Sequence, residues 1–365
     1  MQISSSFDSK HNFMKKIIFI FAANGFLFSA CHKASENNRN NTDFASLETQ
    51  VITDFTNNVA LGQYSALTNS AVSLNQSITT LNTGTTDANL LAAQTAWKNI
   101  RQTWEQCEGF LFGPVEDNDY DPNTDTWPTD YNQMDSLLAS SNPLQTDDIK
   151  NLPQSLRGYH PLEYIIFGKG GSRVASGITA RQKQYMVSLS ADILYNNVQP
   201  LYNDWSSVFK DQVLTAGAGS TQFETKQDLF LNIVSGMSDI CGEVGEGKMF
   251  EPFIAKDSTI TESPYSSNTL DDFHNNIIGL QNVYLGLNNG KGIKDLVAAK
   301  NRDLDNQIRT QIQAAISSFD NITLRYEEAI YKQRTQVQQT MDQLATLKGL
   351  LDNELTQFMI TNIKD

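Results

Sequence analysis

From Phe44 to about Thr80, apolar side chains return at steps of three and four, with Phe44, Leu47, Val51, Ile52, Phe55 and Val59 opening the run. That period lines up one stripe of an α-helix, whereas a strand would alternate at every second residue. A stripe about ten turns long is stable only against other helices, so it forces a fold of long helices laid side by side. The same period returns in 87–108, 179–214, 221–245, 268–286, 301–318 and 323–363, and no alternating pattern occurs anywhere. The expectation is an all-α protein, with short loops between antiparallel neighbours. Asp87, Thr179 with Gln182, and Thr221 with Glu224 read as helix starts. The glycines at 170, 171 and 177 suggest a boundary at 170–178, giving one helical bundle over 43–170 and another over 178–363.

The first residues follow a different logic. Met14-Lys15-Lys16 leads into an apolar run, Ile17 to Leu27, too short to span a bilayer. The run closes on Leu27-Phe28-Ser29-Ala30-Cys31, which resembles the bacterial lipobox in all but Phe28. Residues 1–30 therefore read as a lipoprotein signal peptide, and Cys31 as the lipidated first residue of the mature chain. The Asn-rich stretch 31–42 reads as a flexible tether. Together these imply a lipid-anchored protein of the cell envelope, on the periplasmic side or in the outer membrane. Cys107 and Cys241 remain, at a spacing that neither requires nor forbids a disulfide. Lys and Arg number 27 against 41 Asp and Glu, a net charge of −14 that argues against nucleic acid as a partner and suits cations.

Gly158-Tyr159-His160-Pro161-Leu162-Glu163 carries the most chemistry. His160 and Glu163 fall on one helical face, where an imidazole nitrogen and a carboxylate oxygen can converge on one cation. The alternative is a helix start, with His160 as cap, Pro161 in the first turn and Glu163 folding back. It accounts for Pro161 and Glu163 but not for histidine, which is not a preferred cap. Trp97, Arg101, Trp104 and Glu108 share another helical face. They read as a core stripe with an arginine reaching out, except that Glu108 ends the stripe just before Gly109. Asp117 to Asp121 resembles the opening of a calcium loop, but Pro122 and Pro128 stand where a glycine and a glutamate are needed, so it reads as turn chemistry.

The Gly158-x-His160-x-x-Glu163 pattern has company. Together with Trp104-Glu105 to Glu108, Phe112-Gly113-Pro114, Trp127-Pro128, Gly247-Lys248 and Glu262-Ser263-Pro264-Tyr265-Ser266, it resembles the imelysin-like family over roughly residues 44 to 360. The resemblance implies two four-helix bundles, export, and a link to iron acquisition, with likeness to a domain of periplasmic iron-uptake proteins. On that reading His160, Glu163 and Glu108 are the candidate metal ligands, and Arg101, Glu246, Lys248, Glu262 and Ser263 surround them. Mixed nitrogen and oxygen donors point to iron or zinc. The partners are then a metal ion or metal-bearing small ligand, the membrane through the lipid anchor, and iron-uptake proteins. A metallopeptidase would recruit His274 as third ligand, but H-E-x-x-H and a sheet to carry the site are both absent. A carbohydrate or polymer binder would use Trp97, Trp104, Trp127 and Trp205 as platforms, although packing in the core is the simpler use for them. Binding rather than catalysis is the expectation.

Segments of the two halves also align. Glu108 to Pro114 matches Glu246 to Pro252, Asn132 to Asp135 matches Asn268 to Asp271, and Gly158 to Gly168 parallels Asn276 to Gly286. This suggests an ancient tandem duplication in which Ile278 and Gln281 stand at the places of His160 and Glu163. A site in the crevice between the halves would then have Glu108 and Glu246 facing it from either side.

Overall fold

The long periodic stretches fold as helices in a computed structural model that describes residues 43–364, and no strand occurs among them. The signal peptide, Cys31 and the tether lie outside the described residues. Helix α1 covers 43–83 and contains a widened π-turn at Phe55–Ala60. Helix α2 is Asp87–Glu105, α3 is Tyr159–Phe167, and α4 runs over 180–214 with π-turns at Ile193–Val198 and Trp205–Phe209. Helix α5 is Lys226–Gly242 and continues through a π-turn, Glu243–Lys248, into Phe250–Ala255. Helix α6 is Thr269–Leu285, α7 is Arg302–Ser318, and α8 starts as Arg334–Leu350 and continues to Asn362. No helix among the described residues is long and apolar enough to cross a membrane.

The helix starts differ in detail from expectation. Thr179 and Gln182 form the capping box read from the sequence. Asp87, however, is the first helical residue; Thr86 is the cap, accepting from Asn89 N. The Asp87 carboxylate instead accepts from Ala175 N, 2.8 Å away. The box at the start of α5 is Thr225 with Asp228, not Thr221 with Glu224.

Four helices pack in a ring, α1 on α2 and α4, and α3 on α2 and α4; a second ring sets α5 on α6 and α8, and α7 on α6 and α8. The change of partners therefore falls in the turn between Leu214 and Lys226, not at 170–178. Helix α4 returns to the first ring because its apolar stripe of Tyr185, Leu189, Ile193, Leu201 and Trp205 is buried against α1, with the Trp205 ring 5.6 Å from that of Tyr64. Glycines at 170–171 mark a surface turn within one ring.

The rings meet where α2 ends. Helix α2 packs on α6, and the tight turn Glu108–Phe110 packs on both α5 and α6. Gly279 makes this possible, since a Cβ there would lie 2.5 Å from the Gln106 carbonyl oxygen. Glu108 is buried in that tight turn, whereas Glu246 sits in the wide π-turn of α5 and is exposed. The two glutamates thus do not face one another across a crevice. Cys107 and Cys241 are both buried and both free thiols.

Candidate metal centre

At this junction a core of charge is assembled from both rings. Helix α2 contributes Arg101, Trp104 and Glu105; the tight turn after it adds Glu108; Asp125 follows further along; α3 adds His160 and Glu163; Lys248 comes from α5; Glu262 and Ser263 come from the loop before α6, which adds Asp272 and Asn276. All are buried. The glycine of the G-x-H-x-x-E pattern has a steric task. Gly158 has φ +76°, and a Cβ there would lie 1.9 Å from the Thr124 carbonyl oxygen. Only glycine lets the loop carrying Asp125 lie against the start of the helix carrying His160. Gly158 is also the residue before the first helical turn, so His160 lies inside the helix and is not its cap.

Arg101 does not reach for solvent. It is fully buried and pairs with Glu105 and Asp125, with Glu262 at 2.9 Å and with Asp272 at 3.5 Å. His160 Nε2 lies 3.1 Å from Asp125 Oδ1 and 3.5 Å from Glu262 Oε1, and its Nδ1 is 3.9 Å from Glu163 Oε2. None of these contacts has full hydrogen-bond geometry, so both His160 nitrogens have carboxylates in ion-pair range but no well-formed hydrogen bond in the protein.

Two sets of side chains bring ligand atoms within 4.8 Å of one another: Asp125, His160 and Glu262, and then Glu105, Glu108 and Asp125. Counting hydrogen bonds separates them. In the second set Arg101 and Asn276 Nδ2 take the oxygens of Glu105, Trp104 Nε1 and Asn276 take those of Glu108, and Trp104 and Arg101 take those of Asp125. Every oxygen there is already engaged. In the first set Asp125 is equally engaged and Glu262 Oε1 is held by Arg101, but both His160 nitrogens and Glu262 Oε2 are buried without a hydrogen-bond partner. A buried polar atom without a partner costs free energy that a ligand can recover. One imidazole and two carboxylates form a donor set that fits iron or zinc.

The pKa shifts divide the cluster in the same way. Burial raises Asp125, but Arg101, then His160 and Lys248, outweigh it and hold the carboxyl well below its usual range. Burial likewise opposes Glu262, which Lys248 and His160 keep lowered. Burial would lower the His160 imidazole, yet Asp125, Glu163 and Glu262 raise it well above 6.5. For Glu105, burial dominates over Arg101 and pushes the carboxyl up to about 8. A carboxyl raised on folding keeps its proton where the unfolded chain has lost it. Its contribution therefore falls as pH rises from about 4.5 to about 8. The metal-free protein is expected to melt at lower temperature as pH climbs through that window, with Glu105→Gln showing a shallower decline. Thermal melts of both proteins across the window test this, and parallel slopes would refute it.

Of the residues read from the sequence, His160 faces Glu262 through Nε2 and Glu163 through Nδ1, while Glu108 lies away from it; Asp125, which also faces Nε2, was not among them. Glu163 Oε1 accepts from the backbone N–H groups of Tyr265 and Ser266, at 3.1 and 2.6 Å, so it ties the loop carrying Glu262 to α3. Glu108 lies in the fully engaged set. Ser263 donates to Asp272 at 2.6 Å, which in turn faces Arg101. Glu246 lies outside, exposed beside Lys348. His274 packs edge-on against Phe319 and belongs to neither set. Trp97, Trp104 and Trp205 are completely buried, which leaves them no face for a sugar.

Asp125 escaped the sequence reading because it lies in a loop crowded with Asp and Asn. Asp272 and Asn276 carried a weak signal: four residues apart, they set two polar side chains on the face of α6 that also carries Gly279. A cleft of about 370 Å³ leads inward, lined by Glu108, Asp121, Asp125, Trp127, Glu243 and Lys248 among others.

The fold and the site define a helical protein of two four-helix rings, with a buried histidine–carboxylate centre where they join. Residues 60–353 match the imelysin family. The chain belongs to that family. It is 31% identical over 265 residues to iron-regulated protein A of Synechococcus elongatus, covering 71% of this chain and 68% of the relative. A Parabacteroides distasonis protein described as an iron-regulated protein A precursor superposes with a TM-score of 0.77 at 24% identity, covering 87% of this chain and 95% of the other. An imelysin-like protein of Psychrobacter arcticum gives 0.69 at 13% identity, over 85% and 95%. At these identities the two structures speak for the fold alone.

Proposed function

We propose that this protein binds a metal ion, iron foremost, at the Asp125–His160–Glu262 centre, and that it does so in the cell envelope, tethered through a lipid on Cys31, in the service of iron uptake. The observation that carries the reading is the convergence of three buried donors from three separate segments, with both imidazole nitrogens and one Glu262 oxygen left without partners. The similarity to an iron-regulated protein supports iron over zinc. His160 would supply the nitrogen donor, with Asp125 and Glu262 the oxygens. Glu163 would hold the Glu262 loop in place, and Arg101 would keep Asp125 ionised and pair with Glu262. The metal would supply the charge that these two carboxylates are arranged to receive.

Calorimetric titration of anaerobic iron(II), and separately of zinc(II), into wild type and His160→Ala tests the reading. The substitution is expected to weaken binding by more than about 100-fold, beyond the roughly 10–100-fold typical of losing an outer group. Indistinguishable isotherms for the two proteins would overturn it.

A further inference from the structure

The cleft meets the centre at Asp125, with Glu243 and Lys248 also in its lining. The Lys248 ammonium stands in it, 2.9 Å from Glu243 Oε1 on the solvent side and 3.5 Å from Glu262 Oε1 on the inner side. The lysine side chain is 7% exposed and that of Glu262 is 1% exposed, while that of Glu243 is 47% exposed. The amine therefore bridges a wet carboxylate and a dry one. The π-turn Glu243–Lys248 creates this geometry: with about 4.4 residues per turn, positions five apart come to lie nearly one above the other, whereas on an α-helix they would diverge. Lys248 is thus built into the wall of the entrance and is not a stray surface lysine.

We infer that Lys248 is a resident competitor for Glu262 and so sets which cations the centre accepts. In the metal-free protein its single positive charge lies beside the carboxylate oxygen that also faces His160 and Arg101. A cation arriving at the free Glu262 Oε2 meets the charge of that ammonium beside Oε1 of the same carboxylate, and Glu243 is the place to which the ammonium can retreat. A monovalent ion brings no more charge than it displaces and leaves the ammonium where it is. A divalent or trivalent ion interacts with Asp125 and Glu262 more strongly in proportion to its charge, and only such an ion gains from the exchange. The role assigned to Lys248 is selectivity, and it rests on the metal-binding reading above.

Two substitutions of opposite sign test it. Lys248→Met removes the competitor while keeping the side chain's bulk. It is expected to tighten cobalt(II) binding by at least about tenfold and to make that binding sensitive to sodium. Glu243→Gln takes away the outer partner at an exposed position where folding is not at stake; it leaves the ammonium on Glu262 and is expected to weaken cobalt(II) by several-fold. Affinity is read from the visible absorption of bound cobalt(II), with His160→Ala measured alongside. If Lys248→Met and Glu243→Gln both bind as wild type does while His160→Ala does not bind, the competitor role falls and the metal centre stands. If His160→Ala binds like wild type, both fall together. Opposite shifts in the two variants, with binding lost in His160→Ala, would bear the inference out.

Discussion

Arg101→Met is expected to destabilise the metal-free protein by about 3–5 kcal/mol at neutral pH, the range for removing one partner from a buried ionic cluster. The guanidinium is completely buried and is shared among Glu105, Asp125, Glu262 and Asp272. Methionine fills much of the same volume, so the loss is of charge rather than of packing. It leaves Asp125, which the arginine helps to keep ionised, and Glu262, which it pairs with at 2.9 Å, as buried charges with a poorer set of partners. Acid should restore part of the stability, because protonating these carboxylates removes the charge that lost its partner. Denaturant unfolding of both proteins at neutral and mildly acidic pH gives the result. A loss below about 1 kcal/mol, typical of an exposed ion pair, would mean that solvent reaches the cluster.

Gly158→Ala is expected to be nearly as damaging to the fold and more damaging to the site. Its Cβ would meet the Thr124 carbonyl oxygen at 1.9 Å, on a backbone at φ +76° that L-residues avoid. Overpacking of this kind costs typically about 1–3 kcal/mol, and strain at positive φ adds roughly 1 kcal/mol. The chain can escape only by moving the short helix Tyr120–Thr124 away from α3, and Asp125 is the residue that ends that helix. The variant should therefore lose metal affinity even where it remains folded. Thermal unfolding followed by iron(II) titration below the transition reads both effects. A folded Gly158→Ala protein that binds like wild type would show that Asp125 is not needed at the centre.

Helices, their stripes and the all-α class were legible in the sequence because period and burial coincide: Tyr64, Leu67, Ala71, Leu74, Ile78 and Leu81 follow the spacing and are all buried. As a candidate His160 stood out too, since the alternative of a helix start accounts for Pro161 and Glu163 but not for a histidine. Of the carboxylates that face it, Glu163 and Glu262 were singled out and Asp125 was not. Asp125 looks like any turn aspartate, and nothing in 158–168 says that a loop more than thirty residues upstream will lie on Gly158. Nor does local spacing show that Glu163 turns one oxygen to the backbone of residues 265 and 266. Grouping α4 with the second half failed for a similar reason. Glycines mark where a chain turns, but which ring a helix joins depends on the shape of a distant face, here Tyr64 on α1. The alignment of Glu108 with Glu246 compared residue types across two turns of different pitch, and the pitch decides which glutamate is buried.

The separation of the centre's parts along the chain bears on when it can come into being. Glu105 is joined to Asn276 across 171 positions, and Arg101 to Glu262 across 161. Contacts of such span form late, after the local helices have settled, because each must first close a long loop. A chain that is still extended holds His160, Asp125 and Glu262 at random distances and has no centre at all. On the proposed metal-binding reading, an ion would therefore be acquired wherever the chain completes its folding, from the supply of that compartment, and would not travel there as baggage of an unfolded polypeptide.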